Sequence, residues 1–151
     1  MPVLTLGSAQ ELLLMLDEYW RNSPDKEVKE CPIYYAGSAA MKGIKIFQTF
    51  TNMMGDSVKN QCKKGKNPFE FESIICVPNI ESFEFNKPVV VMTGPGMLQN
   101  GPSRSLFEKW CTEPKNGVII TGYSVDGTLA NKLLKETNYE VECADGTNKI
   151  F

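Results

Sequence analysis

The chemistry open to this sequence is narrowed first by an omission. It contains no histidine, which removes the commonest metal ligand and the commonest general base together. Its five cysteines stand at 31, 62, 76, 111 and 143. The odd number, the wide gaps and the lack of a C-x-x-C pair argue against a zinc knuckle or a disulfide framework, and free buried thiols in a reducing compartment are expected instead. One stretch carries a weak phosphate-binding signal. The stretch Gly94-Pro95-Gly96-Met97-Leu98-Gln99-Asn100-Gly101 leads into a helical segment, where exposed N–H groups and the helix dipole can hold an anion. Gln99 takes the third glycine position of a dinucleotide fingerprint, and Pro102 stands where a Walker loop carries lysine, so neither fingerprint is met. A phosphate contact and a plain packing turn both stay open.

Four further features pose the same choice. Ser103-Arg104 falls in the first turn of that helix, where a cation opposes the macrodipole; it reads as a backbone-phosphate contact or as a surface ion pair. Ser8-Ala9-Gln10-Glu11 fits a capping box, a sufficient structural account, while a functional one has Glu11 reaching a partner domain. Tyr123 ends an apolar run and can stack on a base or simply pack with a wet tip. Lys59, Lys63, Lys64 and Lys66 form the one basic cluster and read better as a solvated loop than as an RNA track.

The elements that must position these residues follow from periodicity. Pro2 to Gly7 reads as a short strand, and Ser8 to Arg21 as a helix with Leu12, Leu13, Leu16, Tyr19 and Trp20 on one stripe. Asn22 to Glu30 is a polar link. Pro32 to Gly37 reads as a strand, followed from Ser38 by a long helical stretch through Met41, Ile44, Phe47, Met54 and Val58. Phe69 to Ile74 alternates as a half-exposed strand should, and a less regular stretch runs to Asn86. Pro88 to Thr93 is continuously apolar and β-branched, a strand covered on both faces, before a helix from about Ser103 to Thr112. Asn116 to Gly122 repeats the strand pattern ahead of a helix over Thr128 to Glu136, and Tyr139 to Phe151 alternates around the turn signal Asp145-Gly146.

Four strand-then-helix units predict an α/β fold: a Rossmann-like, mostly parallel sheet with helices on both faces. Ligands of such sheets meet the loops at the carboxyl ends of the strands. Here those loops are Leu6-Gly7-Ser8, Ala36-Gly37-Ser38, Thr93-Gly94-Pro95-Gly96 and Thr121-Gly122-Tyr123-Ser124. The 151 residues suit one domain, and a net charge of −2 supplies no general field for nucleic acid. No apolar run approaches bilayer-spanning length. The abrupt opening strand reads as the start of a piece of a longer polypeptide.

Taken together, PVLTLGSAQELLLMLDEYW, PIYYAGSAA, PVVVMTGPGMLQNGPSRSLFEKWC and NGVIITGYSVDGTLA resemble the β-CASP domain of metallo-β-lactamase-type RNA endonucleases. The likeness covers nearly the whole chain and is weakest between Asn60 and Lys87 and after Lys135. It implies that residues 1–151 are one β-CASP domain, without the metallo-β-lactamase domain and the C-terminal region. It further implies a nuclear enzyme in which two zinc ions, none bound by this chain, activate a hydroxide in the neighbouring domain, with RNA threading between the two. The blocks lean toward the family branch that cuts precursor messenger RNA before polyadenylation, alongside other subunits of a cleavage and polyadenylation complex, and away from the branch in the Integrator complex.

Glu11 falls on the family's acidic motif, which supports a proton-donating histidine outside this segment. Ser38, Gly94, Gly96, Ser103, Arg104, Thr121, Gly122 and Tyr123 would line the RNA channel or the facing cleft. Two departures stand out: Ser8 replaces a usual arginine, and Gly94 a usual serine or alanine-like residue. A reading from another class is a free-standing nucleotide- or phosphate-binding module built on the same turns.

Overall fold

The computed structural model describes residues 1–80, 83–136 and 140–150. The apolar run after Pro32 forms strand β1 (Ile33–Ala36), which pairs in parallel on both sides. β2 (Ile74–Val77) lies on one side and β3 (Val90–Thr93) on the other, with Ile33 opposite both Ile74 and Val90. Around this sheet the chain sets α1 (Ser8–Asn22), α2 (Lys26–Glu30), α3 (Ser38–Thr49), a 3₁₀ turn (Thr51–Met53), α4 (Asp56–Lys63), α5 (Gly101–Trp110) and α6 (Leu129–Lys135). An antiparallel hairpin of β4 (Glu140–Glu142) and β5 (Asn148–Ile150) closes the described chain.

Side-chain alternation along the strands assigns helices to both faces. Ile33, Tyr35, Ile74 and Met92 point to one side and bury against Ala9 and Leu13 of α1 and Ala40 and Ile44 of α3. Ala36 and Val91 point to the other and meet Ile80 and Leu106 of α5. A third cluster of Leu98, Phe107, Cys111, Leu129 and Val141 fastens α6 and the hairpin to α5. Each fully buried large apolar side chain contributes roughly 1.5–3 kcal/mol. The predicted α/β architecture thus holds, with a parallel sheet smaller than four units would give.

Several elements differ from expectation, each for a local reason. Pro2 to Gly7 is not a strand: Pro2 makes one parallel bridge to Thr93, and the Val3 N–H donates to the Thr93 carbonyl before the chain turns into α1. The capping box also shifts by one residue. Gly7 is the cap, the Gln10 side chain accepts from its N–H at 2.7 Å, and Ser8 and Glu11 take no part. The polar link after Asn22 contains α2, capped by the Asp25 carboxylate at the Glu27 N–H. The long helix after Ser38 breaks at Phe50–Gly55, and Gly55 caps its second half.

The half-exposed strand over Phe69 to Ile74 is absent, because its backbone bonds are committed elsewhere. Phe69 N–H donates to the Asn67 side chain, and Glu72 and Ser73 N–H donate to Asp17, so pairing begins only at Ile74. Asn116 to Gly122 runs without ladder bonds among the described residues; Met1–Val3 occupies the edge of β3, and Ile119 is left exposed. The terminal turn forms as expected, with Asp145 accepting from Thr147 N–H at 2.9 Å and Gly146 at φ 77°. The outer ends of that segment, Tyr139 and Phe151, lie outside the described residues.

Candidate functional site

In the order β2-β1-β3 the chain winds outward in opposite directions from β1. The helices that follow β1 and β3 therefore leave to opposite faces, and a crevice opens between the carboxyl ends of those two strands. Its volume is about 290 Å³, and its lining includes Thr5, Gly37, Ser38, Thr93, Gly94 and Pro102. Backbone bonds fix the walls: Gly37 N–H donates to the Val77 carbonyl at 2.9 Å, and the Thr93 hydroxyl donates to the Ala36 carbonyl at 3.0 Å.

Two of the four small-residue corners, those at Gly37 and Gly94, converge here, with Thr5 just ahead of the Leu6-Gly7-Ser8 corner. A Cβ on Gly94 would stand 2.6 Å from the Thr5 hydroxyl oxygen, and one on Gly96 3.3 Å from backbone atoms of Val3 and Leu4. Glycine at both positions lets the segment before α1 seat against the turn. Ser38 is exposed as the first residue of α3. The fourth corner sits beside the others: the Thr121 hydroxyl donates to the Pro2 carbonyl at 3.3 Å, and Pro2 is level with the end of β3. Gly122 and Tyr123 are exposed there, Tyr123 at 85%.

Gly96, Ser103 and Arg104 are engaged in building the turn. Ser103 is buried, its hydroxyl donating to the Pro95 carbonyl at 2.7 Å and its N–H to the Gly94 carbonyl at 3.1 Å. The Arg104 guanidinium pairs with Glu108 and donates to the carbonyls of Leu98 and Glu142. The cation in the first turn of α5 thus has an occupation that needs no phosphate. Glu11 is exposed and has no partner among the described residues.

Sequence reasoning missed the residues that hold the rim in place. Tyr35 is fully buried and donates from its hydroxyl to the Thr5 carbonyl at 2.6 Å. Burial pushes its pKa up to about 12, against the opposing hydrogen bond from Gln10, so it remains a donor. The Gln10 side-chain N–H₂ also donates to the Thr5 carbonyl, at 2.9 Å. A tyrosine on the buried face of an apolar run and a glutamine on a buried helix stripe were the available signals.

Glu108 joins α5 to the hairpin: it takes the Arg104 guanidinium and accepts from Ala144 N–H at 3.1 Å. Burial raises its pKa, but the Arg104 and Ala144 hydrogen bonds outweigh that and hold the carboxyl below its ordinary value. A carboxylate whose folded pKa is depressed stabilises the fold above its unfolded pKa, and that stabilisation is lost as pH falls through the folded one. Amide exchange in β4 and β5 should accelerate as pH drops from 5 toward 3, after correction for intrinsic rates. Glu108→Gln should flatten that dependence; an unchanged profile in the variant would remove Glu108 from the account.

The donor set does not suit a metal. Histidine is absent from the sequence, and among the described residues no three Cys, Asp or Glu side chains stand together as a metal-binding group.

A parallel sheet with helices on both faces and a glycine-lined crevice at its switch point defines a Rossmann-like α/β domain. The Beta-Casp domain family matches residues 9–133, and the chain belongs to it. Among similar proteins, the Cleavage and polyadenylation specificity factor 73 of Drosophila melanogaster is 53% identical over 135 residues, 89% of this chain and 19% of the relative. Endoribonuclease YSH1 of Yarrowia lipolytica is 48% identical over 139 residues, 91% of this chain and 17% of the relative. Cleavage and polyadenylation specificity factor subunit 3 of Dictyostelium discoideum is 50% identical over 135 residues, 89% of this chain and 17% of the relative. The chain spans about a fifth of the length of the curated relatives it matches.

Proposed function

We propose that residues 1–151 form the cap domain of an RNA endonuclease that cuts precursor messenger RNA before polyadenylation, closing over a metallo-β-lactamase domain. What carries the reading is identity near one half, along about nine-tenths of the chain, to proteins named for that activity. Those names favour the cleavage-factor branch over Integrator. The lack of histidine and of any grouped Cys, Asp or Glu ligands among the described residues leaves the two zinc ions of this reading to the other domain. The partners would be the precursor messenger RNA, that domain and further subunits of the cleavage and polyadenylation complex, in the nucleus. Among the described residues no helix is long and apolar enough to cross a membrane.

Within this reading the rim divides into two tasks. Ser38, Gly94, Thr121, Gly122 and Tyr123 form the wall that faces RNA, with Tyr123 free to stack on a base. Gly96, Ser103 and Arg104 keep that wall in shape. In this reading Glu11, which has no partner among the described residues, accepts from a ring N–H of a histidine of the facing domain, a supporting role that carries about 10–100-fold in activity.

Replacing the equivalent segment of the Drosophila relative by this chain should preserve cleavage of a precursor RNA. Glu11→Ala in the chimera should slow the cleavage step about 10–100-fold while leaving RNA affinity unchanged. Full-rate cleavage by that variant would remove Glu11 from the mechanism. Zinc-dependent cleavage by the 151-residue chain alone would overturn the division of labour, and saturable nucleotide binding by it would favour a free-standing module in the crevice.

A further inference from the structure

The outer stripe of α3 starts at the crevice and is basic. Ser38, the first residue of the helix and part of the crevice wall, is followed one turn on by Lys42 and a further turn on by Lys45. All three are exposed, while Ala40, Gly43 and Ile44 bury the opposite stripe. Residues three and four apart share a helix face, so the two lysines continue the line that Ser38 begins. The line does not end with the helix. The Asn67 side chain donates to the Gln48 carbonyl at 3.0 Å, and the Gln48 side chain donates to the Phe69 carbonyl at 2.9 Å. This return sets the basic end of α4, with Lys63, Lys64 and Lys66, beside the last turn of α3.

The sequence alone favours a solvated loop for the α4 lysines, but the fold adds Lys42 and Lys45 to them and leaves nearly all without counter-charge. From Cys31 to Phe69 the chain carries six lysines and one carboxylate, a local charge of +5 in a chain of net −2, so the remainder holds −7. Lys66 lies 3.9 Å from Glu72. Lys42, Lys45, Lys59, Lys63 and Lys64 have no ion-pair partner among the described residues. Helix stability does not account for the arrangement, because Lys59 and Lys63 stand four apart on α4 and repel each other.

We propose that this stripe is a track for the phosphate backbone of single-stranded RNA, leading away from the crevice along α3 to α4. The proposal rests on the reading of the chain as part of an RNA endonuclease and adds to the rim a second stretch of RNA contact. A polymer with a charge at every repeat answers lysines set in a line. Phe50, 49% exposed at the end of α3, has Ile46 and Met53 exposed beside it, an apolar floor on which unpaired bases can lie. A double helix would meet the lysines but keep its bases from that floor.

The test is fluorescence anisotropy of an end-labelled oligouridylate with the 151-residue chain over a series of salt concentrations. Each phosphate contact on a single strand contributes about −0.7 to the slope of log K against log[salt], so five or six lysines give a slope of about −3.5 to −4.2. Lys42→Gln/Lys45→Gln and Lys59→Gln/Lys63→Gln should each bring the slope about 1.4 closer to zero. Phe50→Ala should weaken binding about fivefold or more. Lys109→Gln/Lys115→Gln, at exposed positions away from this stripe, should leave slope and affinity as they are. Absence of saturable binding at low salt would overturn the proposal, as would slopes unmoved by both lysine pairs. Equal affinity for polyglutamate of matched charge would overturn it too, and would assign the stripe to acidic polypeptides. Cleavage by the Drosophila chimera reads the endonuclease assignment separately. A chimera that cuts while the slopes stay fixed removes the track alone; one that fails to cut, beside a lysine-dependent slope, removes the endonuclease reading alone.

Discussion

Leu13→Ala is expected to destabilise this chain by about 2–5 kcal/mol, the range for emptying a fully buried leucine site. Leu13 has no exposed surface and lies in the cluster that joins α1 and α3 to Ile33, Tyr35 and Met92 of the sheet. Neighbours from two strands and two helices cannot all close around a missing isobutyl group, so a cavity persists. For a domain of this size each kcal/mol moves the melting midpoint by roughly 2–4 °C. A fall of roughly 4–20 °C in a calorimetric scan is the expected reading. Met15→Ala, two residues on but 59% exposed, should change stability by less than about 0.5 kcal/mol. Equal effects of the two substitutions would show that α1 does not pack through the Leu13 face.

The same helix marks how far the sequence could be read. The stripe through Leu12, Leu13 and Leu16 locates α1 to within a residue, and the β-branched runs locate β1 and β3, because burial periodicity is a local signal. The glycine corners at 37 and 94 are legible for the same reason: each follows a buried strand and opens a crevice wall. What local pattern cannot carry is the destination of long-range hydrogen bonds. Phe69 to Ser73 has strand periodicity, yet its N–H groups are claimed by Asn67 and by Asp17 from another element. Asn116 to Gly122 has strand composition, but the edge it would join is taken by Met1–Val3. Arg104 illustrates the limit at the site itself: its position against the helix dipole invited a phosphate, and Glu108, one turn on, answers it within the fold.

Asp17→Ala is expected to cost about 2–4 kcal/mol, chiefly through the backbone it leaves unanswered. The Asp17 side chain is buried on α1, and its Oδ1 accepts from Glu72 N–H at 2.9 Å and Ser73 N–H at 2.7 Å, just before β2 begins. Its other oxygen lies 3.4 Å from the Arg21 Nε. One carboxylate thus ties the first helix to the entry of an edge strand more than fifty residues away and sets where pairing with β1 starts. Asp17→Asn keeps an oxygen for both N–H groups and gives up the charge next to Arg21, so it should cost less than half as much. Hydrogen exchange at Ile74 to Val77 separates the possibilities: marked acceleration in the alanine variant and near-native protection in the asparagine variant are expected. Equal acceleration in both would assign the effect to the ion pair instead. Because the Val77 carbonyl receives the Gly37 N–H at the crevice wall, loosening of β2 should also reach Gly37, placing a helix residue far from the rim among those that determine its shape.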